Sequence, residues 1–128
     1  MRLLIDSHAF LWWLADDPRL PAAARAAMAD PGNTLHVSAA TAWEIGVKVA
    51  LGRLVVPTAP VVSLEEAARR EGMEPLPIDF ADAIAAAALP RHHRDPIDRL
   101  LIAQAAARDL TIVTGDRQIA RYAVPTVW

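Results

Sequence analysis

The chain contains no cysteine. That excludes disulfides, zinc–thiolate centres and a thiol nucleophile, and makes a reducing compartment the natural setting. Lysine occurs once, as Lys48, so all but one of the 13 basic residues are arginine. No stretch approaches the ~20 apolar residues of a membrane span. The N-terminal segment MRLLIDSHAFLWW has too short an apolar core for one. It carries Asp6 and lacks a small-residue cleavage pattern, so no signal peptide is expected. The expected location is the cytoplasm. A strong charge of either sign is also missing: the formal net charge is −2, which gives no general attraction for nucleic acid. Arginine matches phosphate bidentately, but an alanine- and arginine-rich composition also follows from a GC-rich genome, so the arginine excess is weak support for a phosphate ligand.

What is present is alternation. At 128 residues the chain fits one domain, spanning 1–128, and 54% of it is hydrophobic, much of that alanine. Such a length buries roughly two thirds of its unfolded surface. RLLID (2–6) reads as a buried strand and SHAFLWWLA (7–15) as a helix. PAAARAAMA (21–29) is a second helix with Pro21 in its first turn. TLHVS (34–38) is a strand after the turn Pro31-Gly32-Asn33. A helix over 39–52 has Ser38 as N-cap and Gly52 as its stop. Residues 63–72 repeat the device, with Ser63 and Glu66 as a capping box and Gly72 at the end. EPLPI (74–78) is a short strand weakened by its prolines. FADAIAAAAL (80–89) and PIDRLLIAQAAARD (96–109) are helices, LTIVTG (110–115) a strand, DRQIARY (116–122) a short helix and VPTVW (124–128) an edge strand. Strands separated by such helices imply right-handed crossovers and a parallel sheet covered on both faces, an α/β fold. Reactive residues then belong at strand ends and helix starts.

Four acids fall at such places. Asp6 ends the first strand. Asp116 follows the strand at 110–113 after a Thr114-Gly115 turn. Asp98 sits in the first turn of its helix, and Glu44 about two turns into the helix after Ser38. All four can project to one sheet edge. Four carboxylates together repel unless cations compensate, and hard oxygen donors suit magnesium or manganese. Each also has a plainer reading. Asp6 can cap the helix at Ser7, Glu44 can pair with Lys48 at i,i+4, and Asp116 can be an N-cap. Asp95-Pro96-Ile97-Asp98 is a good helix start, with Asp95 as N-cap, Pro96 at N1 and Asp98 favoured by the helix dipole. Their coincidence at one edge favours the cation site.

The stretches LLIDSHAFLWWL (3–14), VSAATAWEIGVKVALGRL (37–54), HHRDPIDRLLIAQA (92–105) and TIVTGDRQI (111–119) together resemble the PIN-domain ribonucleases, specifically the VapC-type toxins of bacterial toxin–antitoxin operons. The resemblance covers essentially the whole chain. It implies a three-layer α/β/α sandwich with a mostly parallel central sheet. It carries the family's acidic cluster to Asp6, Glu44, Asp98 and Asp116, with Asp6 and Asp98 the firmest ligands of Mg²⁺ or Mn²⁺. Serine at position 7, where threonine is frequent in the family, keeps a hydroxyl. The implied activity is metal-dependent endoribonucleolytic hydrolysis of RNA phosphodiesters. The implied partners are an RNA substrate, a VapB-type antitoxin that covers the acidic site, and a second copy of the chain in a homodimer.

Around this cluster several residues have two readings each. Ser7 and Thr114 either orient ligand carboxylates or serve only as turn and cap residues. Arg94, with His92 and His93, either grips phosphate at the rim or belongs to a solvated loop, the latter slightly favoured. Arg99 either pairs with an acid or contacts RNA. Trp12, Trp13 and Trp43 are expected in the packing rather than stacked on bases, although adjacent Trp12 and Trp13 cannot both face inward and one of them suits an interface. A response-regulator receiver would need a lysine after a late strand, and an aspartyl phosphatase would need an acid at position 8, which is His8. The remaining alternatives are an RNA-processing or structure-specific PIN nuclease and a catalytically silent PIN-like binding module.

Overall fold

The computed structural model describes residues 1–56 and 63–128. Within them, five strands form one sheet: β1 (Arg2–Ile5), β2 (Thr34–Ser38), β3 (Met73–Leu76), β4 (Thr111–Val113) and β5 (Thr126–Val127). The order is β3-β2-β1-β4-β5, and every pairing is parallel. Six helices accompany them among the described residues: α1 (Ser7–Leu14), α2 (Ala22–Ala29), α3 (Ala39–Ala50), α4 (Leu64–Arg70), α5 (Phe80–Ala88) and α6 (Pro96–Arg108).

The alternation of side chains along β1 divides the core in two. Leu3 and Ile5 pack with Phe10, Met28, Val37, Ile45, Leu64 and Met73 on one face. Leu4 packs with Ile97, Leu101, Ile102, Ile112 and Tyr122 on the other. The sheet is therefore the middle layer of three, and the α/β/α sandwich implied by the sequence is the observed architecture.

Local signals explain most element ends. Ser38 Oγ accepts from Ala40 N–H (3.0 Å) at the start of α3. Gly52 and Gly72, both at positive φ (69° and 72°), take the chain out of α3 and α4. Other ends differ from expectation. Pro21 is the N-cap of α2 rather than a first-turn residue. Ser63 makes no side-chain cap on α4, and Glu66 instead meets Arg70 Nη2 at 2.6 Å. The capping box belongs to α5, where Asp79 and Asp82 each accept from the other's backbone N–H. Asp82 also receives Arg108 (2.8 and 2.9 Å) and so ties α5 to α6. The segment 116–122 contains only a 3-10 turn over Ile119–Arg121.

The sheet order sets where a site can form. Successive crossovers carry the chain from central β1 out to β3, then back to β4 and β5 on the opposite side. The reversal leaves a crevice beyond the carboxyl ends of β1 and β4. Asp6 N–H donating to Val113 O (3.2 Å) holds those two ends together.

Candidate active site

Each acid reaches this crevice for a local reason. Asp6 is the residue after β1 and the N-cap of α1, its Oδ1 accepting from Ala9 N–H at 2.8 Å. The capping reading is thus correct, and it does not compete with the site: one oxygen caps while the carboxylate remains at the strand end. Glu44 lies one turn beyond the buried Ala40 and Thr41 of α3, so it shares their inward face. Asp98 lies one turn before the buried Leu101 and Ile102, and the same periodicity places it over the sheet edge. Asp116 follows β4, and its Oδ1 accepts from Gln118 N–H at 2.8 Å.

All four line one cavity of about 430 Å³, together with Asp95, Ser7, His8, Lys48, Gly115, Trp12 and Trp128. Five carboxylates thus face one lysine. Asp95 caps α6 through Ile97 N–H (2.9 Å) and Asp98 N–H (3.2 Å), but it also borders the cavity, a second role that the capping reading omitted. Lys48 Nζ stands 3.9 Å from Glu44, so the i,i+4 pair exists as well.

Hydroxyls connect the acids. Ser7 Oγ donates to Glu44 Oε1. The Thr114 side chain favours the Asp6 anion, and its hydroxyl oxygen accepts from Asp116 N–H at 3.1 Å. Buried Thr114 therefore bridges two of the acids. Burial pushes the Asp6 carboxyl above its usual range, opposed by the bonds from Thr114 and Ala9 and reinforced by the Glu44 charge. Burial pushes Asp98 up to about 6; His93 opposes the rise and the Asp95 and Asp116 charges add to it. Both rises come first from burial, and perturbed carboxyls gathered in one cavity are a feature of functional sites. Among the described residues, no three His, Asp or Glu side chains stand close enough together to hold a metal ion as placed. The donor chemistry of the cavity, carboxylates from four elements, fits a hard divalent ion.

The remaining sequence candidates lie elsewhere. Arg99 points away from the cavity. Its Nη2 donates to Ala86 O and Leu89 O (both 2.9 Å), and its Nη1 to Pro90 O (2.8 Å). It therefore closes the carboxyl end of α5, where a cation and free carbonyls match, and among the described residues it is not paired to an acid. Arg94 is exposed beside Ala87, Arg91 and His93 in a separate hollow, off the acidic cavity. His93 is not the solvated loop residue expected. Its side chain is nearly buried and its Nε2 lies 3.0 Å from Asp98 Oδ2. Trp43 is 64% exposed rather than packed. Trp12 and Trp13 are both half-buried against the core. Trp12 tilts against Trp128 and His8 along the cavity wall, and Trp13 Nε1 donates to Glu71 (2.8 Å). Trp128 packs so tightly on Gly115 that a Cβ there would stand 2.4 Å from the indole. Neither Trp128 nor Gly115 was singled out from the sequence, because nothing local marks their contact.

Comparisons with known proteins bear on the fold and the family. The PIN-domain family model matches residues 3–125. Ribonuclease VapC22 of Mycobacterium tuberculosis (strain ATCC 25618 / H37Rv) is 34% identical over 134 aligned residues, covering 98% of each chain. Among solved structures, VapBC2 from Rickettsia felis, bound to a DNA fragment from its promoter, matches with TM-score 0.63 at 12% identity, covering 98% of this chain and 97% of that one. A toxin–antitoxin complex from Klebsiella pneumoniae matches with TM-score 0.63 at 19% identity, covering 98% and 96%. These two support the fold, and the sequence relative and family model support the kinship. The chain belongs to the PIN-domain family.

Proposed function

We propose that the protein is a VapC-type endoribonuclease, the toxin of a toxin–antitoxin pair, hydrolysing RNA phosphodiesters with Mg²⁺ or Mn²⁺. The observation that carries the reading is the convergence of Asp6, Glu44, Asp98 and Asp116, from four separate elements, on one cavity at the sheet's switch point. The full-length likeness to a protein named a ribonuclease supports the substrate.

Asp6 and Asp98 are the principal ligands, with Glu44 and Asp116 completing the set. An ion held by these residues would supply Lewis acidity toward water and phosphodiester and would offset charge on the leaving oxygen. The chain does the rest. Ser7 holds Glu44, and Thr114 holds Asp6 against the Asp116 turn. Lys48, at the cavity wall, offers the one ammonium available to an RNA phosphate there. The Trp12 and Trp128 wall presents aromatic surface beside it. With a net charge of −2, attraction for RNA comes from the bound cation rather than from the surface as a whole.

The partners belong to the same proposal. Of the two structural relatives described above, one is a toxin–antitoxin complex and the other is VapBC2, and we extend a VapB-type antitoxin, a homodimer and a cytoplasmic setting to this chain. Exposed Phe80 and Ile84 on α5, Trp43 on α3 and Leu51 just after it are apolar groups that such partners would cover. Among the described residues, no helix is long and apolar enough to cross a membrane.

The test is cleavage of total cellular RNA by purified protein with Mn²⁺, with EDTA, and by the Asp98→Asn variant. Discrete fragments that vanish in both controls are expected. Cleavage persisting in either one would refute the metal-dependent assignment.

A further inference from the structure

Tyr122 is buried on the far side of His93 from the acids. Its hydroxyl is met by three groups: His93 Nδ1 at 2.8 Å, His93 backbone N–H at 3.3 Å and Arg99 Nη1 at 3.2 Å. A phenol has one proton to give and two lone pairs to receive. The backbone N–H and the guanidinium are donors only, so together they fill the lone pairs. The phenol's own proton is then directed at His93 Nδ1. His93 must therefore accept at Nδ1 and carry its proton on Nε2. That nitrogen lies 3.0 Å from Asp98 Oδ2, and a carboxylate is an acceptor. The bonds form one directed series, from Arg99 and the backbone to Tyr122, then His93, then Asp98.

We propose that His93 and Tyr122 are positioning residues for the cation site: His93 grips Asp98 Oδ2 through Nε2–H, fixing the carboxylate rotamer and leaving Oδ1 free for the ion. Such outer partners orient ligands and sharpen affinity without touching the metal. The inference rests on Asp98 being a cation ligand. It also accounts for Arg99: beyond closing α5, the guanidinium fixes which way the Tyr122 hydroxyl points.

Four variants and one direct observation test it. Mn²⁺ binding is measured by calorimetry on the RNA-free protein, each variant checked by its melting curve. His93→Phe keeps a ring and removes the donor, and should weaken Mn²⁺ roughly 10- to 100-fold. His93→Gln retains an N–H able to reach Asp98, and should stay within about 3-fold of wild type on the same reasoning. Tyr122→Phe frees the tautomer and should fall between them. Mn²⁺ affinity unchanged in His93→Phe, or lost equally in His93→Gln, overturns the proposal. Asp98→Asn separates the levels: if that variant binds Mn²⁺ as wild type does, the ligand assignment itself fails rather than the relay. The direct observation is the long-range ¹H–¹⁵N correlation of the His93 ring in the wild-type protein, which needs no variant to fold. An Nε2–H tautomer is expected; an Nδ1–H tautomer overturns the proposal.

Discussion

Replacing Asp98 by asparagine should disable the site and stabilise the metal-free protein, with a pH dependence that identifies the cause. The folded chain holds the Asp98 proton to about 6, against an ordinary 3.8, because burial and the Asp95 and Asp116 charges penalise the anion. A carboxyl whose folded pKa is raised contributes stability below its unfolded value and loses it as pH climbs through the folded one. Metal-free wild-type protein therefore weakens between about pH 4 and pH 7. Asparagine mimics the protonated acid at every pH and can still accept from His93. The gap of about two pH units is equivalent to about 3 kcal/mol. Solvent reaches part of this carboxyl, whose side chain is 16% exposed at the cavity mouth. Screening and the lost charge–dipole interaction at the helix start reduce the gain to ~1–2 kcal/mol. For a domain of this size that is a rise of roughly 3–8 °C in Tm. The assay is thermal melting in EDTA at about pH 4.5 and pH 7.5, repeated with Mn²⁺. The Asp98→Asn advantage should be full at the higher pH and cut to roughly a third at the lower, and Mn²⁺ should raise Tm for wild type alone. A variant no more stable than wild type at about pH 7.5, or equally advantaged at both pH values, would refute the electrostatic account.

Three further outcomes follow from particular contacts. Gly115→Ala places a methyl where the indole of Trp128 now stands, 2.4 Å away; Trp128 must move, and near-ultraviolet circular dichroism should change with a loss of about 1–2 kcal/mol in denaturant melts. Arg108→Met leaves buried Asp82 without its guanidinium, which should destabilise the fold by about 3 kcal/mol. Arg108 holds Asp82 below the usual carboxylate range, so in wild type this stability persists above that range and is lost as pH falls through the folded value; acid melts of Arg108→Met should lack that loss. Arg99→Met uncovers the α5 carbonyls and should lower Tm by the equivalent of about 2 kcal/mol.

The fold was legible because its signals are local. Uniformly apolar LLI and TIV segments mark strands buried on both faces, and Ser38, Asp95, Pro96, Gly52 and Gly72 mark helix ends. The acids were legible for the same reason, since a parallel sheet converts "after a strand" into "at the crevice". What could not be read were contacts set by tertiary distance. His93 looked like one member of a polar loop until Tyr122, 29 positions away, met its ring. Trp128 became part of the cavity only through Gly115. The pattern of serine with glutamate points to a capping box at Ser63 and Glu66, whereas the reciprocal pair is Asp79 and Asp82.

The first turn of α6 shows why neighbouring residues here do unrelated work. Successive side chains of a helix are about 100° apart, so Asp98 and Arg99 cannot serve the same face. Asp98 continues the stripe of Leu101 and Ile102 toward the sheet edge and enters the cavity. Arg99 points one step round the helix, toward α5 and the loop that carries His93. Asp95 and Pro96 fix the origin of that turn, and with it both directions at once. The site is therefore anchored from two sides by one short segment: the cap sets where Asp98 stands, and Arg99, by closing α5 and meeting Tyr122, sets what stands behind it. A substitution at Arg99 is then expected to act on two properties, stability through the α5 carbonyls and ion affinity through Tyr122, and only the second should be mirrored by Tyr122→Phe. Finding that Arg99→Met lowers Tm and leaves Mn²⁺ affinity untouched would break this link while leaving the role of Arg99 at α5 intact.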